Sequence, residues 1–403
     1  MTHSQYEDKD GSVQGKVWKA LDQFRMELPS WGFSNTGTRF GKFSQPGAAT
    51  NIAEKFADAA EVHRLTGVAP TIALHVLWDF PDGEASTAEI ADLERHHGIR
   101  SGSINPNLFQ DQEYKFGSLC NPDPAIREKA VEHMIASVRI AKALGSRDVS
   151  LWLPDGSNYP GTQSMTRRIG WLEEGLALTH AELAPMQRLL VEYKPFEPAF
   201  YHTDIADWGM SYALAKAAGP QAVVLVDTGH HYQGTNIEQI VAWLLHLRVL
   251  GGFHFNDRKY ADDDLTLGSI DPYQIFRIFH EIQSFEAAGG ATDIAYMIDQ
   301  SHNLKGKMEA MVQTVAVAQE LYARAAMVDQ AQLAVLQDEC RLVEAEELFR
   351  GCFFADPRPM VQAWRVARGL PADPLVALRA GGYVEQITAQ RSAKNAVVQT
   401  SYA

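Results

Sequence analysis

Long apolar runs, basic runs and paired cysteines are what this chain has least of, and each lack narrows its function. No stretch of about 20 consecutive apolar residues occurs, so no segment is suited to crossing a bilayer as a helix. Lys and Arg number 36 against 50 Asp and Glu, a formal charge of -14. No cluster of Lys or Arg is placed to neutralise a phosphate backbone, so nucleic acid is not the expected partner. The three cysteines, Cys120, Cys340 and Cys352, are odd in number and widely spaced. That fits reduced thiols better than a disulfide framework or a structural zinc site. The opening MTHSQYEDKD is polar and acidic rather than leader-like, and a cytoplasmic protein is expected.

What the chain does have is an even spread of apolar residues, 46% over 403 positions, arranged as short β-type runs alternating with amphipathic helical patterns. Such alternation predicts a parallel sheet, because each parallel connection needs a crossover. Strands are expected at Ser30–Asn35, Thr71–Val76, Ile99–Asn105, Asp148–Leu153, Leu189–Lys194, Ala222–Asp227, Gly251–Asn256 and Ile294–Asp299. Helices are expected at Asn51–Thr66, Ala125–Leu144, Ser164–Glu182, Asn236–Leu250 and Pro272–Phe285, the fourth capped by Asn236. Runs such as VVLV and IALHVL are continuous, as strands buried on both faces require. The expected fold is therefore α/β, a (β/α)8 TIM barrel. The chain exceeds the about 250 residues of a plain barrel, and the alternation stops near residue 326. Residues 1–325 are read as the barrel with an N-terminal helix and the site. Residues 326–403 are read as a helical C-terminal extension that makes oligomer contacts.

Seven residues with metal-binding side chains fall at or just beyond the ends of the later strands: Glu192, Asp227, His230, His254, Asp262, Asp264 and Asp299. Singly each has an ordinary explanation: a strand-end Asp commonly caps the next helix, and a single His is commonly a satisfied core group. Together they occupy four successive strands about 4.8 Å apart, at the rim where barrel enzymes keep their chemistry. Glu192, Asp227, His254 and Asp299 are expected to share one cation. His230 is expected to join Asp262 and Asp264, which point the same way in an extended segment, around a second. Three hard oxygens and an imidazole favour Mn2+, Co2+ or Mg2+, with Zn2+ allowed, over a thiolate-bound soft metal. Lys194, Trp152, His75 and Ser301 lie at other strand ends and fit a polyhydroxylated ligand.

The segments VEYKPFEP (191–198), LVDTGHH (225–231), GGFHFNDRKYADDDLTLGSIDP (251–272), MIDQSHN (297–303) and WGFSNTGTRFG (31–41) resemble those of the L-rhamnose isomerases of the broad-specificity bacterial type, within the xylose-isomerase-like barrels. The resemblance spans most of the chain. It implies a structural metal on Glu192, Asp227, His254 and Asp299, and a catalytic one on His230, Asp262 and Asp264, with Asp227 able to serve both. It also implies a substrate contact from Lys194 and insertion of Phe40 into a neighbouring subunit's site in a homotetramer or homodimer; His75, Trp152, His230 and Ser301 are the further expected substrate contacts, and Lys194, Asp299 and His75 the expected catalytic residues. The implied reaction interconverts L-rhamnose and L-rhamnulose, with L-mannose, L-lyxose and D-allose/D-psicose as further substrates, and needs no organic cofactor. Two cations suit it because they polarise a carbonyl and lower a hydroxyl's pKa, while Lys194 would stabilise charge on O1. An enediol route would instead need a base, with Asp299 or Glu192 as candidates. A ketose 3-epimerase is the alternative. Asp299 stands where that family has Glu, and the Asp262–Asp264 cluster offers a second site an epimerase does not need.

Overall fold

The structure, a computed structural model, describes residues 12–38, 41–197, 201–260 and 262–396. Eight parallel strands close into a barrel in sequential order. They are β1 (Glu27–Pro29), β2 (Thr71–His75), β3 (Arg100–Asn105), β4 (Asp148–Leu151), β5 (Arg188–Glu192), β6 (Ala222–Asp227), β7 (Leu250–Phe255) and β8 (Ala295–Ile298). Each is followed by a helix on the outside: α1 (Ile52–Thr66), α2 (Thr87–His97), α3 (Pro124–Ala143), α4 (Met165–His180), α5 (Trp208–Ala218), α6 (Ile237–His246), α7 (Pro272–Ala287) and α8 (Lys307–Ala326). Six of these helices begin on a side-chain cap, Asn51, Asp123, Ser164, Asp207, Asn236 and Asp271, whose oxygen accepts a backbone N–H of the first turn. Each cap contributes about 1 kcal/mol, and together they fix where the loops of the barrel's upper rim stop. Leu190, Leu225 and Met297 fill the barrel interior, while the larger core lies between strands and helices.

One strand lies elsewhere than expected. Ser30–Phe33 is a 3-10 turn, and the strand is the three residues before it. Gly32 is wedged where an added Cβ would sit 2.6 Å from Met311 Cε and 2.9 Å from Gln300 O. That close approach to the β8 loop is what the turn permits.

At the barrel's lower end Asp148 accepts from Arg188 Nε at 2.8 Å and from Arg147 Nη2 at 2.8 Å, and Arg188 also donates to Gly251 O at 3.1 Å. Removing one member of a buried charge cluster leaves the others uncompensated. Asp148→Ala is expected to destabilise the fold by about 3 kcal/mol, seen as a lower urea midpoint.

Beyond the barrel come α9 (Gln330–Asp338), α10 (Leu342–Phe354), α11 (Arg358–Ala367), α12 (Pro374–Ala380) and α13 (Tyr383–Asn395). These helices fold back on the same chain. Trp364 Nε1 donates to Asp22 at 2.9 Å, Phe353 packs on Tyr273 of α7, and Arg391 of α13 grips Asp58 of α1. No helix among the described residues is long and apolar enough to cross a membrane.

Candidate active site

Strand register builds the site. Asp227 of β6 pairs with His254 of β7, His254 with Met297 of β8, and Glu192 of β5 with Leu225. Glu192, Asp227, His254 and Asp299 therefore reach one rim on four neighbouring strands, and His230 follows Asp227 on the turn that leaves β6. His230 Nδ1 lies 3.1 Å from Glu192 and its Nε2 3.0 Å from Asp262 Oδ1. His254 Nδ1 lies 3.3 Å from Glu192, 3.7 Å from Asp299 and 4.0 Å from Asp227. Ligand atoms of Glu192, Asp227 and His230, and those of Asp227, His254 and Asp299, form two groups that share Asp227, each within 4.8 Å.

These side chains, except the fully buried Asp227, line a cavity of about 520 Å³. His75, Trp152, Lys194 and Ser301 line the same cavity. Lys194 Nζ donates to Asp262 at 2.5 Å and Glu197 at 3.0 Å and lies 5.1 Å from the Trp152 ring centre. His75 stacks on Trp78 at 3.8 Å, and its Nδ1 lies 3.2 Å from Val76 O. A carbonyl only accepts, so this contact places the proton on Nδ1 and leaves Nε2 as an acceptor. Ser301 bonds Thr36 at 2.8 Å. Phe40 lies outside the described residues.

The segment carrying Asp262 and Asp264 is not extended: their φ angles are 54° and 47°. The expectation of a common direction from strand alternation is therefore wrong, although both line the cavity. Asp263 binds the backbone N–H groups of Lys259 and Tyr260 and so shapes the turn that presents them.

Buried negative charge dominates the site. Asp227 is pushed up to about 6 by burial, partly offset by His230 and reinforced by Glu192 and Asp299. Burial and then neighbouring carboxylates raise Asp264. Glu192, despite burial, is held down to about 2 by His254 and His230. His254 in turn is lifted to about 9: burial opposes the rise, but Glu192, Asp299 and Asp227 together outweigh it. Protons thus collect where positive charge is needed. His254 Nδ1 is buried with no hydrogen-bond partner and faces three carboxylates. An orphaned imidazole nitrogen among hard oxygen donors fits a divalent cation.

Several residues of the site escaped the sequence reading. Trp31 donates Nε1–H to Asp299 at 2.8 Å, and Asn256 donates to Asp227 Oδ1 at 3.0 Å. Asn256 could have been found, since it is two places past His254 on the same strand line. Trp31 carried no such local signal, since its partner Asp299 lies 268 positions away. Thr36, Trp78 and Phe109 also line the cavity. A Cβ on Gly229 would meet Asn256 Oδ1 at 2.4 Å. Gly229→Ala is therefore expected to push Asn256 off Asp227 and, if Asp227 holds a divalent cation as expected, to weaken its binding about tenfold, the scale of losing a group that orients a ligand. Equilibrium dialysis measures this.

Three neutral histidines make the fold acid-sensitive. His75, His280 and His302 are each held down from 6.5 to about 4, burial being the first cause in every case. The unfolded chain therefore binds protons that the folded chain refuses between pH 6.5 and 4. Their contribution is complete above pH 6.5 and is lost as pH falls through that window. The urea midpoint is expected to be lower at pH 5 than at pH 7.

An eight-stranded β/α barrel with carboxylate and imidazole donors converging on its C-terminal rim defines the class of protein: a barrel with an enzyme-type site. The xylose isomerase-like TIM barrel family matches residues 39–287, and the chain belongs to this family. It is 39% identical over 376 residues to a probable sugar isomerase of Rhizobium meliloti, covering 92% of this chain and 87% of that protein. It is 23% identical over 339 residues to an L-rhamnose isomerase of Cronobacter sakazakii, covering 75% and 80%. A xylose isomerase domain protein from Alicyclobacillus acidocaldarius superposes with a TM-score of 0.53 at 14% identity, over 75% of this chain and 99% of that one, a likeness of fold.

Proposed function

We propose that the protein is a metal-dependent aldose-ketose isomerase, with L-rhamnose and L-rhamnulose as the leading pair and L-mannose, L-lyxose and D-allose/D-psicose as further substrates. The observation that carries this reading is the convergence of Glu192, Asp227, His230, His254, Asp262, Asp264 and Asp299, with the cation Lys194 at its edge. Glu192, Asp227, His254 and Asp299 would hold one divalent ion, and His230, Asp262 and Asp264 a second; Mn2+ is favoured, with Co2+, Mg2+ or Zn2+ acceptable to the same donors. Bound there, such ions supply electrophilic polarisation of the sugar's carbonyl and acidify its neighbouring hydroxyl.

The chain's own residues do the rest. Lys194, its charge fixed by Asp262 and Glu197, stabilises negative charge growing on the sugar's O1. His75, uncharged because burial holds it at about 4, offers Nε2 to a sugar hydroxyl. Trp152 presents an aromatic wall to sugar C–H groups, and Ser301 and His230 bind hydroxyls. Asp299, tied to Trp31 through one oxygen, keeps the other toward His254. It is the carboxylate nearest to serving as base should hydrogen move by an enediol.

The extension leaves Leu342, Val343, Phe354 and Val366 more than half exposed, which supports oligomer contacts in a dimer or tetramer. The function is tested by incubating the Mn2+-loaded protein with L-rhamnose, L-mannose, L-lyxose, D-allose and D-psicose. Aldose-to-ketose turnover is expected. Ketose-to-ketose conversion without any aldose would replace the reading with a 3-epimerase.

A further inference from the structure

We infer that Asn395, the last residue of α13, is a positioning residue that latches the mouth of the active site; for its effect on turnover this inference rests on the isomerase reading. The connection between the turn after β1 and α1 is long for a barrel, and its described residues, 34–38 and 41–51, carry only the two-residue strands Gly37–Thr38 and Gly41–Lys42 as regular structure. Ordering such a segment costs conformational entropy, so its shape must be held from outside. The holder is the far end of the chain. Asn395 Nδ2 donates to Pro46 O at 3.0 Å and Ala48 O at 2.9 Å, and its Oδ1 accepts from Asn35 Nδ2 at 2.9 Å. Asn35 Oδ1 in turn accepts from Gln45 N at 2.9 Å. One amide thus ties both arms of the segment together.

Those arms reach the reacting groups. Gln45 Nε2 donates to His302 O at 3.2 Å and Asn303 O at 3.1 Å, in the loop after β8. Thr36 bonds Ser301, and Trp31, just before the segment, bonds Asp299. Lys394 and Asn395 line an outer cavity of about 770 Å³ that shares Trp31, Thr36, Trp78 and Phe109 with the site cavity. The latch has a firm base. Arg391, buried one turn earlier, makes a two-pronged bond to Asp58 of α1 at 2.8 and 3.0 Å and donates to Gly47 O at 3.0 Å. Asn395 lines the outer cavity but not the site cavity, so it acts on how often the mouth is correctly formed. If release leaves the binding-competent mouth formed about a tenth of the time, apparent KM rises about tenfold while kcat at saturation stays within about twofold.

Asn395→Leu keeps the size of the side chain and removes all three bonds. Hydrogen exchange of the 43–50 amides and the kinetic constants are measured in the full chain. Arg368→Ala serves as control, since Arg368 anchors α11 to Asp22 at 2.6 Å and loosens the extension elsewhere. Faster exchange confined to 43–50, with raised KM, steady kcat and an Arg368→Ala protein of wild-type KM, is the expected result. Unchanged exchange, a fall in kcat at constant KM, or an equal KM rise in Arg368→Ala would each overturn the latch. If the wild-type protein turns over no sugar, the isomerase reading falls and the exchange measurement alone decides the latch.

Discussion

Lys194→Met is expected to lower kcat about a hundredfold or more while changing KM only a few-fold, measured as steady-state conversion of L-rhamnose. The substitution keeps the aliphatic stem that lies against Trp152 and removes one positive charge from the rim. Lys194 holds its proton firmly, because Asp262 and Glu197 raise its pKa against the cost of burial. A fixed cation aimed at a developing oxyanion binds the transition state more strongly than the ground state. Losing one such donor typically costs a hundredfold to a thousandfold. The signature is a fall in kcat that carries kcat/KM down with it, as expected when a transition-state contact disappears. A KM effect alone would reassign Lys194 to plain substrate binding.

Glu192→Gln should act differently, through the proposed cations. Glu192 is the carboxylate that both imidazoles share, 3.1 Å from His230 and 3.3 Å from His254. An amide of the same shape removes a charge without opening a hole, so the fold is expected to survive. Its loss also removes the strongest influence that lifts His254 to about 9. Mn2+ affinity is expected to fall by at least the 10–100-fold seen when a ligand's supporting group is lost. Activity should then recover in part at high Mn2+, where Lys194→Met would not respond. Comparing the two variants across a Mn2+ titration separates loss of a cation site from loss of a fixed positive charge.

Most of the barrel was legible because its determinants are local. Continuous apolar runs such as AVVLVD mark strands buried on both faces, and the expected Ala222–Asp227 coincides with β6. The Asn236 cap was readable because its partner, the N–H of Gln239, is three residues away. β1 was misplaced because a three-residue strand leaves almost no periodicity, while of the aromatics after it Trp31 bonds Asp299 at the site and Phe33 is buried in the core rather than in a sheet. The proposed ligand positions were visible because strand ends in a parallel barrel project to one rim. What stayed hidden depends on contacts far apart in sequence or on unusual backbone. Trp31 meets Asp299 across 268 positions and Asn35 meets Asn395 across 360, and no local pattern announces either pair. The positive φ angles of Asp262 and Asp264 could not come from a reading that assumed an extended segment.

The account's central claim is that the seven clustered carboxylate and imidazole residues form a two-cation centre for aldose-ketose isomerisation. Its most direct test is to strip the protein with EDTA, then titrate in Mn2+ while following both bound metal and the conversion of L-rhamnose to L-rhamnulose. The account predicts no turnover in the stripped protein and activity that rises with bound Mn2+ and levels off at two ions per chain. Full activity without metal, or saturable Mn2+ binding with no aldose-ketose turnover on any of the sugars tested, would contradict it.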